Sequence, residues 1–298
     1  MLDFFELHGK YKHSGLNKKH IVFEDVQGVL QGINCSDIDV VQVANSYEGR
    51  PINLVTIGRG ATKVFAWSQM HGDEPTATSS LLDLLLFIQC DSGRRWYKEW
   101  RDNITLHIVP MLNPDGAAAV TRENAQGIDI NRDAIVLQTP EGRILSKLMD
   151  DLHPNLAFNL HDQNPYYTAG ENGAKTLVAF MAPPPDEQKT ITTARRHAMQ
   201  LIGSSVELIT PRFLGKIARY DDTYSSSSFG DLAATKNIPC ILIESGYDAA
   251  DSNRQMPRMI NFVALCHALS LLSASSDISG KEKIYNDLPM NVEGDIID

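Results

Sequence analysis

Apolar residues cluster in short runs bounded by polar or turn residues at Val40–Val43, Ile52–Ile57, Lys63–Trp67, Ile104–Pro110, Leu156–Leu160, Thr176–Met181 and Pro239–Glu244. Runs of that length between polar punctuation predict buried strands. Between them the pattern lengthens to helical spacing. Thr76–Gln89 follows Pro75, a residue suited to a first helical turn, and Gly142–Leu152, Glu187–Ile202 and Arg254–Ser273 complete the set. In the last segment Phe262, Cys266, Leu269 and Leu272 recur every three or four residues, a stripe that faces a core.

Strands alternating with helices predict a three-layer α/β/α domain, with a central mixed, largely parallel sheet and helices on both faces. No internal repeat or low-complexity linker divides the chain. The serine run Ser225–Ser228, between Tyr224 and Phe229, reads as a loop. One domain over residues 1–298 is expected, with a lead-in over 1–45 and a polar, acidic tail over 275–298 that is loosely attached.

Composition narrows the functional classes. With 298 residues, 43% hydrophobic and 21% charged, the chain can bury a sizeable core without staples. Its net charge of −10 argues against a general nucleic-acid surface and leaves room only for a local basic pocket. The cysteines Cys35, Cys90, Cys240 and Cys266 form no CxxC pair, so neither a disulfide framework nor a thiolate metal site is expected. Cys90, Cys240 and Cys266 read as small buried hydrophobes. The opening MLDFFELHGKYKHSG lacks a signal-peptide design, and the longest apolar run, near Leu81–Ile88, is too short to span a bilayer. A soluble, cytoplasmic protein without membrane or nucleic-acid partners is the expectation.

Four stretches carry chemistry. In Phe65-Ala-Trp-Ser-Gln-Met-His71-Gly-Asp-Glu74-Pro75 a strand runs out into a polar turn, so His71 and Glu74 project beyond a strand end, where open α/β sheets place ligands. A histidine and a carboxylate three residues apart can reach one cation, although alone the pair reads as a surface histidine and a helix-start acid. Next come the Asn113-Pro-Asp-Gly turn signal and the run Arg122-Glu-Asn-Ala-Gln-Gly-Ile-Asp129-Ile-Asn131-Arg132-Asp133. Arginine beside asparagine suits a carboxylate, through a forked charge-assisted pair and an added amide donor. Two further apolar strands end in His161 and in Glu244. Strand ends presenting His71/Glu74, His161 and Glu244 would converge on one rim: two histidines and one glutamate around an open position, with a fourth acid as base.

In this order and spacing the chain resembles the zinc carboxypeptidases, whose pattern is HxxE, then RxNxxGxDxNR, a single histidine and a late glutamate; the resemblance spans about Ser46 to Asp248. It implies that His71, Glu74 and His161 bind one Zn2+ and that Glu244 activates a zinc-bound water as general base. By the same resemblance Arg122 polarises the scissile carbonyl and Asn131 and Arg132 anchor the substrate's terminal carboxylate. Asp129 would hydrogen-bond a zinc-ligand histidine. A substrate-contacting tyrosine would be Tyr220 or Tyr224. The family commonly continues its Asn-Arg pair with Asn and an aromatic, whereas Asp133-Ala134 stand here, a carboxylate that would weaken carboxylate binding or favour a nearby amine.

The implied activity is hydrolysis of the amide next to the free C-terminal carboxylate of a peptide or small amide. The alternatives keep the centre and change the substrate: an N-acyl amino acid amidohydrolase resembling aspartoacylase or succinylglutamate desuccinylase, or a murein-peptide hydrolase. A non-catalytic zinc- or peptide-binding module is the rival from another class. Of the other histidines, His8, His13, His20, His153 and His197 read as polar-surface residues, and His107 and His267 as packed ones.

Overall fold

The computed structural model describes residues 2–171 and 173–294. Among these residues ten strands form: β1 (Ile38–Asn45), β2 (Pro51–Gly58), β3 (Thr62–Ser68), β4 (Ile104–Val109), β5 (Leu156–Asp162), β6 (Tyr167–Ala169), β7 (Val178–Met181), β8 (Ile217–Arg219), β9 (Cys240–Ser245) and β10 (Asn291–Glu293). The helices are α1 (Phe4–Tyr11), α2 (Phe23–Gln31), α3 (Thr76–Gln89), α4 (Asp91–Trp100), α5 (Pro114–Ala119), α6 (Pro140–Leu152), α7 (Thr193–Ile209), α8 (Phe229–Thr235), α9 (Gln255–Ser273) and α10 (Glu282–Asn286).

Eight strands make one sheet in the order β1-β2-β4-β3-β5-β9-β7-β8. The pairs β3/β4, β3/β5, β5/β9 and β7/β8 are parallel, and β1/β2, β2/β4 and β7/β9 are antiparallel. The sheet is therefore mixed with a parallel centre. Side chains alternate between its faces and seed two cores. Along β3, Val64 and Ala66 join the larger one, while Phe65 and Trp67 join the smaller one on the other face. The larger core gathers Leu81 and Leu85 of α3 with Phe262 and Leu265 of α9; the smaller gathers Leu145 and Met149 of α6 with Phe229 and Ala233 of α8. Burying each of these leucine and phenylalanine side chains stabilises the fold by roughly 1.5–3 kcal/mol. The three layers follow from that division.

Both ends of the chain differ from expectation. Residues 1–45 are more than a lead-in: Asp3 caps α1 by accepting from the amides of Phe5 and Glu6, and Phe4 packs edge-on against Trp96 with ring centroids 5.4 Å apart. His8, expected at a polar surface, is buried and lies 2.9 Å from Asp83, which also pairs with Arg258. The stretch after Ser273 is docked as far as residue 294. Tyr285 is only 1% exposed, its hydroxyl accepts from the Ala182 amide at 3.2 Å, and β10 pairs with β6. Few apolar residues mark that segment, so its polar majority hides the anchor. Helix α7 starts at Thr193 rather than Glu187, because Thr192 caps it through Arg195 N. Helix α9 has the length and apolar content to cross a membrane, which a search for unbroken apolar runs misses, but 67% of its apolar window is buried as a core helix.

Candidate metal centre and substrate cavity

The strand ends that converge are those of β3, β5 and β9. After β3 the chain bends at Gln69, in the left-handed region at φ 50°. Its side chain donates to the carbonyls of Ile21 and Gly72, both at 2.9 Å, and accepts from Thr78 Oγ1 at 2.8 Å, closing the loop that presents His71 and Glu74. Asn113 ties that loop to the next one: Nδ2 donates to the Met70 carbonyl at 3.1 Å and to the Glu123 carbonyl at 3.2 Å, while Oδ1 caps α5 through Gly116 N. Thus the Asn-Pro-Asp-Gly turn joins the segment carrying His71 and Glu74 to the segment carrying Arg122.

His161 and Glu244 are paired in register on the adjacent parallel strands β5 and β9, so their side chains leave the sheet on the same side. Glu74 reaches across from the β3 loop. One oxygen, Oε1, lies 2.8 Å from His71 Nδ1, and the other, Oε2, lies 2.9 Å from His161 Nδ1 and accepts from the Asp162 amide at 3.1 Å. The two Nδ1 atoms are 3.2 Å apart. Asp129 Oδ1 lies 3.1 Å from His71 Nε2, and Asp129 is itself held by Arg122 Nε at 3.1 Å. Because a carboxylate only accepts, Nε2 of His71 carries a proton toward Asp129, and a cation bound among these groups would meet the ring at Nδ1, on the Glu74 side.

Among the described residues, one group of His, Cys, Asp and Glu side chains is arranged to hold a metal: His71, Glu74 and His161, all buried, with ligand atoms within 4.8 Å of one another. Two imidazoles and a carboxylate are zinc donors, and the surroundings fit a dication. The cavity carries the carboxylates of Asp73, Glu74, Asp162, Asp221, Asp231 and Glu244 against only Arg122, Arg132 and Arg254. Burial opposes a charged His71, yet the Glu74 carboxylate and the Asp129 hydrogen bond outweigh it and raise His71 to about 9. Burial lowers His161, favouring the neutral, ligating ring. For Glu244, burial and then the Glu74 charge push the carboxyl well up; a dication on Glu74 acts in the opposite sense.

The remaining sequence-predicted residues sort by position. Arg122 faces the cluster, with Nη1 3.2 Å from Glu74 Oε1. Asn131 and Arg132 line the same cavity; Asn131 Oδ1 accepts from the Phe229 amide, fixing it to the start of α8, and Arg132 is exposed and has no carboxylate within ion-pair range among the described residues. Tyr220 lines the cavity and Tyr224 does not. Asp133 also stays out of it. Buried, it accepts from the amides of Gln138 and Thr139, both at 2.8 Å, and from the Thr139 hydroxyl, so it shapes the turn before α6 rather than standing beside the Asn131–Arg132 pair.

Sequence reasoning missed Arg254, which stands at the mouth of the site. Its Nη1 donates to the Ser245 carbonyl at 2.7 Å and its Nη2 to the Gln163 carbonyl at 2.9 Å, bracing the ends of β9 and β5 just beyond Glu244 and His161. Lying at the start of a helical run, it reads from sequence as an ordinary first-turn residue; its left-handed backbone, φ 51°, is invisible there. Asp162 was likewise missed. Burial pushes it up to about 6, with Arg254 opposing and Glu74 adding.

This architecture is that of the metallo-carboxypeptidases. A metallo-carboxypeptidase from Burkholderia cenocepacia superposes with a TM-score of 0.67 at 18% identity, over 87% of this chain and 70% of that one. Carboxypeptidase A from Helicoverpa armigera gives 0.65 at 15% identity, over 91% and 80%. At those identities the likeness is one of fold. In sequence, residues 30–133 match the zinc carboxypeptidase family. Carboxypeptidase SOL1 from Arabidopsis thaliana is 26% identical over 167 residues, which are 49% of this chain and 34% of SOL1. Carboxypeptidase 2 from Trichophyton tonsurans is 30% identical over 123 residues, 40% of this chain and 22% of that protein. The chain therefore spans about a third or less of the length of these relatives.

Proposed function

We propose that the protein hydrolyses the amide bond next to the free C-terminal carboxylate of a peptide, with one Zn2+ held by His71, Glu74 and His161. The observation that carries this reading is the meeting of that trio with Glu244, Arg122 and the Asn131–Arg132 pair around one cavity. A zinc ion held there would supply a Lewis acid for the scissile carbonyl and lower the pKa of a bound water toward about 7.

The protein's own groups do the rest. Arg132 offers a forked donor to the terminal carboxylate, and Asn131, tied to α8, adds its amide. Their spacing from Arg122 sets which amide is presented. Arg122 donates to the carbonyl oxygen as negative charge grows on it, a contribution of about 3 kcal/mol for a single well-placed donor. The carboxylate of Glu244 accepts no hydrogen bond from the described residues, so it is free to take a proton from the attacking water and deliver it to the departing amine nitrogen. Asp129 keeps His71 in the tautomer that turns Nδ1 inward.

The test is Glu244→Gln, assayed on C-terminally free peptides beside N-acyl amino acids. The variant is expected to retain zinc and lose peptide hydrolysis by at least about a hundredfold. Turnover at the parental rate would remove Glu244 from the chemistry, and cleavage of N-acyl amino acids alone would replace the peptidase reading with an amidohydrolase one.

A further inference from the structure

A second cavity, about 350 Å³, opens beside the first. Its outer wall is Lys18, Lys19 and His20, from the loop ahead of α2, and its inner wall includes Arg254. The two cavities share Asp73, Asp162 and Arg254, while Asn131, Arg132, Ser228 and Asp231 line only the first. A peptide with its terminal carboxylate at Asn131–Arg132 and its scissile amide at the His71–Glu74–His161 cluster leaves by the shared edge. Its upstream residues then enter the second cavity.

The positive charge there is not all spoken for. Arg258, at the back, is saturated: its donors go to Asp83, Leu16 O, His13 O and Gln255 Oε1. Lys18 pairs with Asp25 at 2.6 Å. Lys19 has no ion-pair partner among the described residues, and it is exposed. Arg254 spends two N–H groups on neutral carbonyls, which fix the guanidinium without neutralising it. Asp162, 3.5 Å away, is its one ion-pair partner among the described residues and offsets part of the charge. Asp162 Oδ2 also accepts from the amide and hydroxyl of Thr76, however, and the remaining guanidinium N–H groups stay open. Arg254 is thus a positioned cation with open donors between the cavities, and its left-handed backbone keeps it there. Asp73 stands at the shared edge and disfavours an acid at that point, so an incoming carboxylate belongs further out, toward Lys19.

We propose that this second cavity receives an acidic side chain from the part of the substrate upstream of the scissile bond, with Lys19 and Arg254 as its counter-charges. The proposal rests on the peptidase reading above and names the substrate class of that site: peptides acidic just ahead of their C-terminal residue.

The experiment uses N-acetylated tetrapeptides with a fixed terminal residue and Glu-Glu, Gln-Gln or Lys-Lys at the two positions before it. For each, kcat/KM is measured on the zinc-loaded protein and Kd by calorimetry on zinc-loaded Glu244→Gln. Glu-Glu is expected to exceed Lys-Lys about fivefold in both, a margin typical of a partly exposed charge pair and one that shrinks with added salt. Lys19→Glu is expected to erase or invert that ratio. Equal values for Glu-Glu and Lys-Lys, or a ratio unmoved by Lys19→Glu, overturn the proposal. If no peptide is cleaved, the peptidase reading fails by itself, and the binding ratio still decides whether the cavity selects acids.

Discussion

The carboxylate of Asp129 lies 3.1 Å from Nε2 of His71, on the side of the ring opposite Glu74. Asp129 also accepts from the Asn131 amide at 2.8 Å and from Arg122, so one carboxylate orients His71, Arg122 and the Asn131 backbone together. Burial alone would raise its pKa, but His71 and Arg122 hold it well below the ordinary carboxylate range. Asp129→Ala is therefore expected to weaken zinc binding by about 10- to 100-fold, measured by competition with a chelator at pH 7. Asp129→Asn keeps an acceptor and should recover part of that loss. Unchanged zinc affinity in both variants would show that His71 needs no orienting partner.

Asn113 gives a different signature, because it joins two loops and touches no ligand atom. Asn113→Asp keeps the oxygen that caps α5 but sets a second oxygen against the carbonyls of Met70 and Glu123. Leaving those buried acceptors without their donor costs about 1–3 kcal/mol of unfolding free energy by urea titration. Zinc affinity should fall with it, since the His71 loop loses its tether. A drop in stability with full zinc affinity at low denaturant would reduce Asn113 to a helix cap.

Gly72 follows His71 where two backbones touch. A Cβ at this position would stand 1.9 Å from the carbonyl carbon of Gly116, and backbone cannot swing aside as a side-chain tip can. Gly72→Ala should lower stability by about 1–3 kcal/mol or more and weaken zinc binding as the loop is pushed off the start of α5. Parental thermal stability in this variant would mean that the loop and α5 are not in contact in solution.

What could be read from the sequence follows from what leaves a local signal. The central strands announce themselves because each is a short apolar run, and the segments at their ends carry His71, Glu74, His161 and Glu244 as polar residues just where the runs stop. Pairing direction leaves no such mark: β7 reads like its neighbours yet runs antiparallel to β9. A docked segment with few apolar residues is equally quiet, so the Tyr285 anchor is hidden in polar surroundings. Asp133 shows the opposite error. Its neighbour Arg132 suggests a place in the cavity, but three hydrogen bonds within the following turn bury it elsewhere. Arg254 depends on a backbone conformation and on two carbonyls distant in sequence, neither of which a residue pattern encodes.

His107 supplies a test of stability against pH that is independent of the metal. It sits on β4, 8% exposed, with Nδ1 3.1 Å from Thr56 Oγ1. Burial, with Lys63 adding, lowers its pKa from 6.5 to about 4. The unfolded chain then binds the proton more readily than the folded one. The resulting stabilisation is present above pH 6.5 and is lost as the pH falls toward 4. Between pH 7 and pH 5 the loss from this group is at most about 2 kcal/mol. His8 is also lowered, by burial first, and contributes with the same sign, so the wild-type decline should be the steeper of two curves rather than the only one. Urea unfolding of the wild type and of His107→Leu at the two pH values separates them. The variant should be less sensitive to acid by about 1–2 kcal/mol, whatever its stability at pH 7. Parallel curves would show that His107 titrates alike in the folded and unfolded chains, and that its burial does not resist protonation.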